Sequence, residues 1–361
     1  MRPGRAWSLL LLAMVLAFSA CTAGQRASPT SSVSPDHAEL TQAVDDFLAN
    51  PGHETVQAVL VSVDGNTVVE RYRGARADQP LHVWSVTKSF LGTLVGIAVA
   101  DGLIDDLDQT LAQLLPRHRS AMDAQVAAVT LRQLLTMTAG FPEGLSAQRF
   151  GSDPDFVTSL LRTGLTRDPG TAFAYSNAGS HLVAAVLHEA LRHDVAHRSM
   201  LDYAREKLFD PLGIDSRPAY QGVETWAPSS TFDRSGFAWA TDRQGIPHGC
   251  CLLRMTPRDL QKLGQLYLAD GVWEGRRLVP REWVQQATTG TELSDYGYLW
   301  WVNPVEGHAS YAASGAFGQL AVVVPDRRLV VTVASRTDPE LSSGPEDLMS
   351  LVSDVVLPSL G

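Results

Sequence analysis

The sequence predicts a mixed α/β (α+β) fold, in which an antiparallel sheet is built from N- and C-terminal segments flanked by helices. A large, mostly helical insertion lies between those segments. β-rich runs on both sides of Asp64-Gly65-Asn66 are a strong hairpin signal near the N-terminus. Strand character returns only after residue 296, and the stretch between has the apolar spacing of helices. A hydrophobic content of 45% in 361 residues is enough for a large core.

The N-terminal elements are predicted first. A helix over Ala38–Ala49 precedes strands over Val56–Val63 and Thr67–Tyr72, which form the hairpin. The next helix begins at Ser85 and runs to about Ala100, because its apolar residues share one face and Asp101-Gly102 follows as a stop signal.

The remaining elements follow the same reasoning. Core helices are expected over Leu131–Thr138, Phe156–Thr163, His181–His193, Tyr203–Phe209 and Pro257–Ala269. Strands are expected over Tyr298–Val302, Leu320–Val324 and Leu329–Ala334, and a last helix begins at Pro345. Residues 37–361 then form one domain, with an α/β part over about 37–84 and 296–361 and a helical part over about 85–295. A ligand cleft is expected at the seam between the two parts.

The first 20 residues predict a signal peptide. Arg2 and Arg5 precede an apolar run that is too short to span a membrane, and small residues follow it. Small residues directly before Cys21 are similar to a bacterial lipoprotein signal, so we expect lipidation at Cys21. Residues 21–36 have the composition of a flexible Ser/Thr/Pro linker. The protein would then lie on the outer face of the bacterial cell membrane, and the alternative is a secreted or periplasmic protein.

Composition and spacing exclude several classes of function. The formal net charge of −10 disfavours nucleic-acid binding, which depends on neutralising phosphates. Cys250 and Cys251 are adjacent, where a mutual disulfide would be strained, so we expect two free or buried thiols. His188 and His193 are five residues apart and do not share a helix face, so no metal site is expected. The chain has no G-x-S-x-G nucleophile motif.

Ser85-Val86-Thr87-Lys88 places a hydroxyl and an amine one helical turn apart. A serine hydroxyl is a weak nucleophile until a base takes its proton. Residues i and i+3 lie on one helix face, so Lys88 can reach Ser85 Oγ. Lysine is scarce, at three residues, and unlike arginine it can act as a base when desolvated. The pair therefore predicts an activated nucleophile.

Tyr175-Ser176-Asn177 is the second element of the site. Together with Ser85-Val86-Thr87-Lys88 it resembles the serine β-lactamase and penicillin-binding superfamily, in its class C β-lactamase-like branch. That branch also contains D-amino-acid peptidases, esterases and amide-dimer hydrolases. The resemblance extends over about residues 40–357, and the segments that agree include Leu134–Gly140, Phe209–Ile214 and Tyr296–Trp301.

The resemblance implies a mechanism without a cofactor. Ser85 would attack an acyl carbonyl, and Lys88 and the Tyr175 phenol would share the proton that it loses. Asn177 would orient the substrate amide, and Tyr175 would later activate the water that releases the product. The oxyanion hole would consist of the Ser85 N–H and an N–H from a strand that carries a third motif.

The third motif departs from the family pattern. Relatives often have K-T-G or H-x-G, whereas this chain has Ala313-Ser314-Gly315, with the Ala316 N–H completing the oxyanion hole. Ser314 and Gly315 would still bind substrate, but no cation is present to pair with a substrate carboxylate. This disfavours efficient β-lactam hydrolysis and cleavage of peptides that end in D-alanine. Trp239, Trp300 and Trp301 could line an acyl pocket, although large aromatic residues are more often core.

The resulting prediction is an exported serine hydrolase of the esterase or amide-dimer hydrolase branch, which cleaves an ester or amide bond through an acyl-enzyme on Ser85. A β-lactamase or a D-Ala-type peptidoglycan peptidase is the alternative enzyme. The alternative of another class is a noncatalytic, penicillin-binding-like protein that holds a cell-wall peptide. The expected partners are a small-molecule or peptide ester or amide and, through Cys21, the membrane.

Overall fold

A computed structural model describes residues 37–143, 153–196, 198–223, 230–338, 340 and 344–361. The predicted signal peptide, the Cys21 anchor and the linker to residue 36 lie outside the described residues. The helices are α1 Ala38–Ala49, α2 Val86–Ala100, α3 Leu111–Leu114, α4 Ala124–Ala128, α5 Leu131–Leu135, α6 Phe156–Thr163, α7 Asn177–Leu191, α8 Met200–Ala204, α9 Ser230–Arg234, α10 Pro257–Leu268, α11 Arg281–Ala287, α12 Pro345–Ser350 and α13 Leu357–Ser359. The strands are β1 Val56–Val63, β2 Asn66–Tyr72, β3 Leu81–His82, β4 Ala238–Trp239, β5 Leu253–Met255, β6 Val272–Trp273, β7 Arg276–Arg277, β8 Tyr311–Gly315, β9 Gln319–Val324 and β10 Leu329–Ser335.

The central sheet has five antiparallel strands in the order β2-β1-β10-β9-β8. The β1–β2 turn has positive φ at Asp64 and Gly65, as a tight two-residue hairpin requires. β10 lies between β1 and β9, with Leu60 opposite Thr332. The predicted sheet from both ends of the chain is therefore confirmed.

Both faces of the sheet are covered, which explains why β9 and β10 are buried at every position. Such strands have nearly continuous apolar, β-branched sequences, and valine dominates here. On one face, α1 and the C-terminal helical segment close a core that includes Leu40 and Leu351. On the other face lies the larger core that α2, α7 and α10 share.

α10 falls within the stretch that the sequence assigned to the helical part, yet it packs on β10, β9 and β1. Gly264 allows this close approach, because an ideal Cβ on it would lie 2.6 Å from Val330 Cγ1 and 3.5 Å from Val323 Cγ2. Periodicity finds the apolar face of a helix but not its partner.

The predicted strand over Tyr298–Val302 is wrong. Leu299 has a positive φ, and Trp301 makes only isolated bridges, one of them to Ala312 on β8. The edge strand that does form, β8, is rich in small residues of low β-propensity and gave a weak strand signal. The short strands β3, β5 and β4 form a separate sheet that was not predicted.

Among the helices of the described residues, none has both the length and the apolar composition that a membrane crossing requires.

Replacement of Gly264 by alanine should destabilise the protein, because the new methyl group would meet the stiff, buried Val330 side chain. We expect a loss of about 1–3 kcal/mol in the free energy of unfolding, as for other overpacked cores. Urea unfolding followed by circular dichroism measures it. Gly236→Ala is the control, since a Cβ there meets nothing within 4 Å. A Gly264→Ala protein as stable as the control would contradict this packing of α10.

Candidate active site

Ser85 lies at the N-terminus of α2, where the backbone enters from β3. The preceding residue, Trp84, has φ +51°, a left-handed conformation that is uncommon for bulky side chains. Its indole Nε1 donates to Thr337 Oγ1 at 3.0 Å, and its ring packs on Phe317 with centroids 4.7 Å apart. These contacts hold a strained backbone immediately before the predicted nucleophile.

Lys88 is 1% exposed, and its ammonium group has three acceptors. Nζ lies 3.1 Å from Ser85 Oγ, 2.8 Å from Asn177 Oδ1 and 2.9 Å from the Cys250 carbonyl oxygen. An ammonium group has three N–H donors, so the three bonds use its whole donor capacity. A buried charge is tolerated only with such compensation. The structure thus brings Lys88 within hydrogen-bonding distance of Ser85.

Tyr175 lies beside Lys88, in the segment before α7. Lys88 Nζ is 4.8 Å from the centre of the phenol ring. The ring stacks on Trp301, with centroids 5.5 Å apart, and stands perpendicular to Tyr296. Burial raises the pKa of Tyr296 well above its usual value, and the Tyr175 phenol adds to the rise, so Tyr296 stays neutral. The aromatic contacts therefore fix the Tyr175 ring beside the ammonium group.

Asn177 is the first residue of α7, and the preceding serine fixes its orientation. Ser176 Oγ accepts from the Gly179 N–H at 3.1 Å, which is a helix N-cap, and donates to the Pro142 carbonyl at 2.9 Å. This cap explains why the helix begins at Asn177 rather than at the predicted His181. With Oδ1 bonded to Lys88, the amide nitrogen of Asn177 is the group that can donate to a ligand.

β8 carries the third motif, and it adjoins the nucleophile. An ideal Cβ on Gly315 would lie 2.5 Å from the Val83 carbonyl oxygen and 3.1 Å from the Ser85 nitrogen. Only glycine therefore fits at this position of the strand. Ala313 is fully buried, and the next residue after the strand, Ala316, is exposed. The strand that resembles the third motif therefore lies against the Ser85 backbone.

A cavity of about 320 Å³ lies along β8. It shares two residues with the site, Ser314 and the Trp301 ring that stacks on Tyr175. Leu320, Asn303 and Met349 also line it, and Asp347 is the charged residue in its wall. The volume suits a small organic group. Of the three candidate pocket tryptophans, Trp301 lies at the site, whereas Trp239 and Trp300 are fully buried in the core.

The cysteine prediction is confirmed, since Cys250 and Cys251 are both free and buried. Sequence reasoning did not foresee that the Cys250 carbonyl would bind Lys88, because a backbone acceptor leaves no trace in residue type.

Within the described ranges, no group of three or more His, Cys, Asp or Glu residues is placed to hold a metal ion.

Arg336 is a candidate cation for binding a substrate carboxylate, because it precedes Thr337 in the chain. Thr337 accepts a hydrogen bond from the indole of Trp84, the residue before Ser85. Its guanidinium group pairs with Asp338 at 3.0 Å. The positive charge is therefore already balanced by a carboxylate.

Comparison with known proteins is consistent with this geometry. The chain matches the Beta-lactamase family over residues 40–354. It is 25% identical over 370 residues to the 6-aminohexanoate-dimer hydrolase of Paenarthrobacter ureafaciens, covering 94% of this chain and 87% of that protein. A family VIII carboxylesterase has a similar structure, with a TM-score of 0.67, 18% identity and coverage of 91% and 98% of the two chains. A D-stereospecific amidohydrolase from Streptomyces gives a TM-score of 0.65, 20% identity and coverage of 88% and 98%. The chain belongs to the Beta-lactamase family of serine hydrolases.

Proposed function

We propose that this protein is a class C-like serine hydrolase that cleaves an ester or amide bond through an acyl-enzyme on Ser85. The observation that carries the proposal is the 3.1 Å contact between Lys88 Nζ and Ser85 Oγ, with the Tyr175 ring beside the same nitrogen. The Lys88 nitrogen thus contacts both the Ser85 hydroxyl and the face of the Tyr175 ring. That combination can move a proton away from Ser85 and return it to a leaving group.

In the acylation step, Ser85 Oγ attacks the substrate carbonyl as its proton passes to Tyr175, which reacts as its phenolate, and the Lys88 ammonium stabilises the negative charge. Negative charge then develops on the carbonyl oxygen. The Ser85 and Ala316 N–H groups are our candidates to receive it, because Gly315 brings their strand and helix together. Asn177 would donate its amide N–H to the substrate. The leaving alcohol or amine departs with the proton.

In the deacylation step, a water molecule attacks the ester carbonyl on Ser85. Tyr175 would take a proton from that water, and Ser85 would recover its own proton. The Lys88 ammonium stabilises negative charge in the site throughout, since its environment is almost dry. No step needs a cofactor.

The substrate class follows from the third motif and the nearby charges. By the resemblance of the third motif, Ala313 corresponds to the position where relatives often carry lysine or histidine, and Arg336 is paired with Asp338. A substrate carboxylate would therefore find little compensation here. We infer a neutral ester or amide, whose polar groups reach Ser314 and the backbone of Gly315. The names of the amidohydrolase and carboxylesterase relatives agree with these bond types.

The location of the protein is part of the proposal. The N-terminal signal and Cys21 favour a lipid-anchored enzyme on the outer face of the cell membrane, with a secreted or periplasmic protein as the alternative. The substrate would then be an extracellular ester, amide or peptide.

Labelling with a fluorophosphonate serine probe should give one adduct on the purified protein and none on Ser85→Ala. The adduct requires an activated serine, so it tests the nucleophile without knowledge of the substrate. Intact mass spectrometry provides the measurement, and circular dichroism shows that both proteins are folded. An unlabelled but folded parent would support the noncatalytic, peptide-binding alternative instead.

Tyr175→Phe should slow deacylation at least as much as acylation, with a loss of about 10²-fold or more, as expected for removal of a general base. The ring, and with it the stacking on Trp301, is kept. Burst kinetics with a chromogenic ester separates the two steps. Tyr296→Phe is the matched control, since it removes a neighbouring buried phenol that has no role in the proposed mechanism. Equal rates in Tyr175→Phe and the parent would remove Tyr175 from the mechanism.

A pair of aryl esters that differ only in a terminal carboxylate should be hydrolysed at different rates. We expect kcat/KM to be about tenfold or more higher for the neutral ester, because an unpaired carboxylate is costly to desolvate. Steady-state hydrolysis of both esters gives the ratio. Preference for the carboxylate, or rapid β-lactam hydrolysis, would favour the β-lactamase and peptidase alternative.

A further inference from the structure

We propose that the buried pair formed by His181 and Asp242 positions Lys88, because it holds the backbone segment whose Cys250 carbonyl accepts from the lysine. The inference rests on the proposed function, in which Lys88 acts on Ser85. Neither His181 nor Asp242 touches the reacting atoms. Their role is that of positioning residues.

Both side chains are completely buried, and their contacts define one protonation pattern. His181 Nε2 lies 3.0 Å from Asp242 Oδ2. The Gly249 N–H points at His181 Nδ1, with a distance of 3.4 Å. A backbone N–H can only donate, so Nδ1 accepts and Nε2 carries the proton that is donated to Asp242. These two contacts assign the imidazole to one tautomer, with the proton on Nε2.

Asp242 is itself fixed by the backbone. Its Oδ1 accepts from the N–H groups of Gln244 and Ile246, at 2.8 and 2.9 Å. Burial alone would raise the pKa of Asp242, but the hydrogen bonds from His181 and the Ile246 N–H hold it below its usual value. His248 lies beside His181, and burial lowers the pKa of His248 to about 3, so this second ring stays neutral. Asp242 thus remains a carboxylate, and it holds the Nε2 side of the His181 ring towards itself.

The link to the active site runs through two consecutive residues. His181 holds the Gly249 N–H, and the carbonyl of the next residue, Cys250, accepts from Lys88 Nζ at 2.9 Å. Gly249 also lies tightly against α7, since an ideal Cβ on it would come within 2.2 Å of the Ser180 carbonyl oxygen. A displacement at Gly249 would therefore move the acceptor on which Lys88 depends.

α7 consequently positions Lys88 in two ways. Asn177, at its first turn, accepts from Lys88 directly. His181 is four residues later on the same helix face and controls the second acceptor through Gly249. A purely structural pair elsewhere in the core would fill space, but it would not reach the lysine by this path.

Three variants, each of which keeps only part of the hydrogen bonding, test the proposal. His181→Asn places an oxygen close to the Nδ1 position, where it can still accept from the Gly249 N–H. His181→Gln places its amide nitrogen close to Nε2, so it keeps the bond to Asp242 but loses the acceptor for Gly249. In Asp242→Asn the oxygen stays on the two backbone donors, so the amide group faces Nε2 and forces the other tautomer. Two donors, Nδ1–H and the Gly249 N–H, then face each other.

We expect His181→Asn to retain most of the rate of fluorophosphonate labelling, and His181→Gln and Asp242→Asn to lose about tenfold or more, as small misplacements of catalytic groups do. All three should melt at lower temperatures, so stability alone does not distinguish them. The rescue by His181→Asn relative to His181→Gln is the decisive result. Equal losses in the two His181 variants, or a parent-like rate in Asp242→Asn, would overturn the proposal. Should Asp242→Asn not fold, the comparison of the two His181 variants decides alone.

Crystal structures of the parent and His181→Gln give a readout that does not need activity. The distance from Cys250 O to Lys88 Nζ should increase from 2.9 Å beyond hydrogen-bonding range in the variant. An unchanged distance would refute the positioning role even if the parent proved unreactive. A parent protein that is not labelled by the fluorophosphonate would refute the proposed function. The distance from Cys250 O to Lys88 Nζ in the two crystal structures would then still test the positioning role of His181 and Asp242.

Discussion

The buried ammonium of Lys88 is the constraint on which the arrangement of this protein depends. An uncompensated charge in a dry interior costs far more than a domain's net stability can supply. The three acceptors come from Ser85, from Asn177 and from the Cys250 backbone, which are far apart in sequence. The helical part must therefore be closed before the charge is satisfied. The same bonds that make burial possible also aim the lysine at the serine, so folding and preparation of the site are one event.

The sheet contributes the other half of the site at its β8 edge. Gly315 lets this strand touch the Ser85 backbone, and the Trp84–Phe317 contact links the two segments on either side of that approach. Tyr175 is held by Trp301, which in turn bridges to β8 through Ala312. The cleft thus lies where the sheet meets the helical part, and each of the two contributes groups that the other lacks. Neither would form the site alone.

The sequence predicted structure best where the conformation depends on residues that are close together in the chain. α1 and β1 have the predicted bounds, and the valine runs of β9 and β10 identify strands covered on both faces. Family motifs located the residues that meet around Lys88. The remainder depends on contacts between distant segments. The small residues of β8 give only a weak strand signal. The periodicity of α10 shows its apolar face but not that this face packs on the sheet. The Cys250 acceptor is a backbone atom, which residue type does not reveal. His181 and Asp242 are likewise paired only by the fold.

The position of β10 between β1 and β9 has a consequence for how the chain is made. Strands β1 and β2 are synthesised early, but β10, the other neighbour of β1, emerges only after the whole helical part has been translated. Contacts this distant in sequence form slowly, so the nascent chain spends a long interval without its central sheet. The sheet can therefore close only after β9 and β10 have been synthesised, and until then β1 lacks the β10 strand that pairs with it.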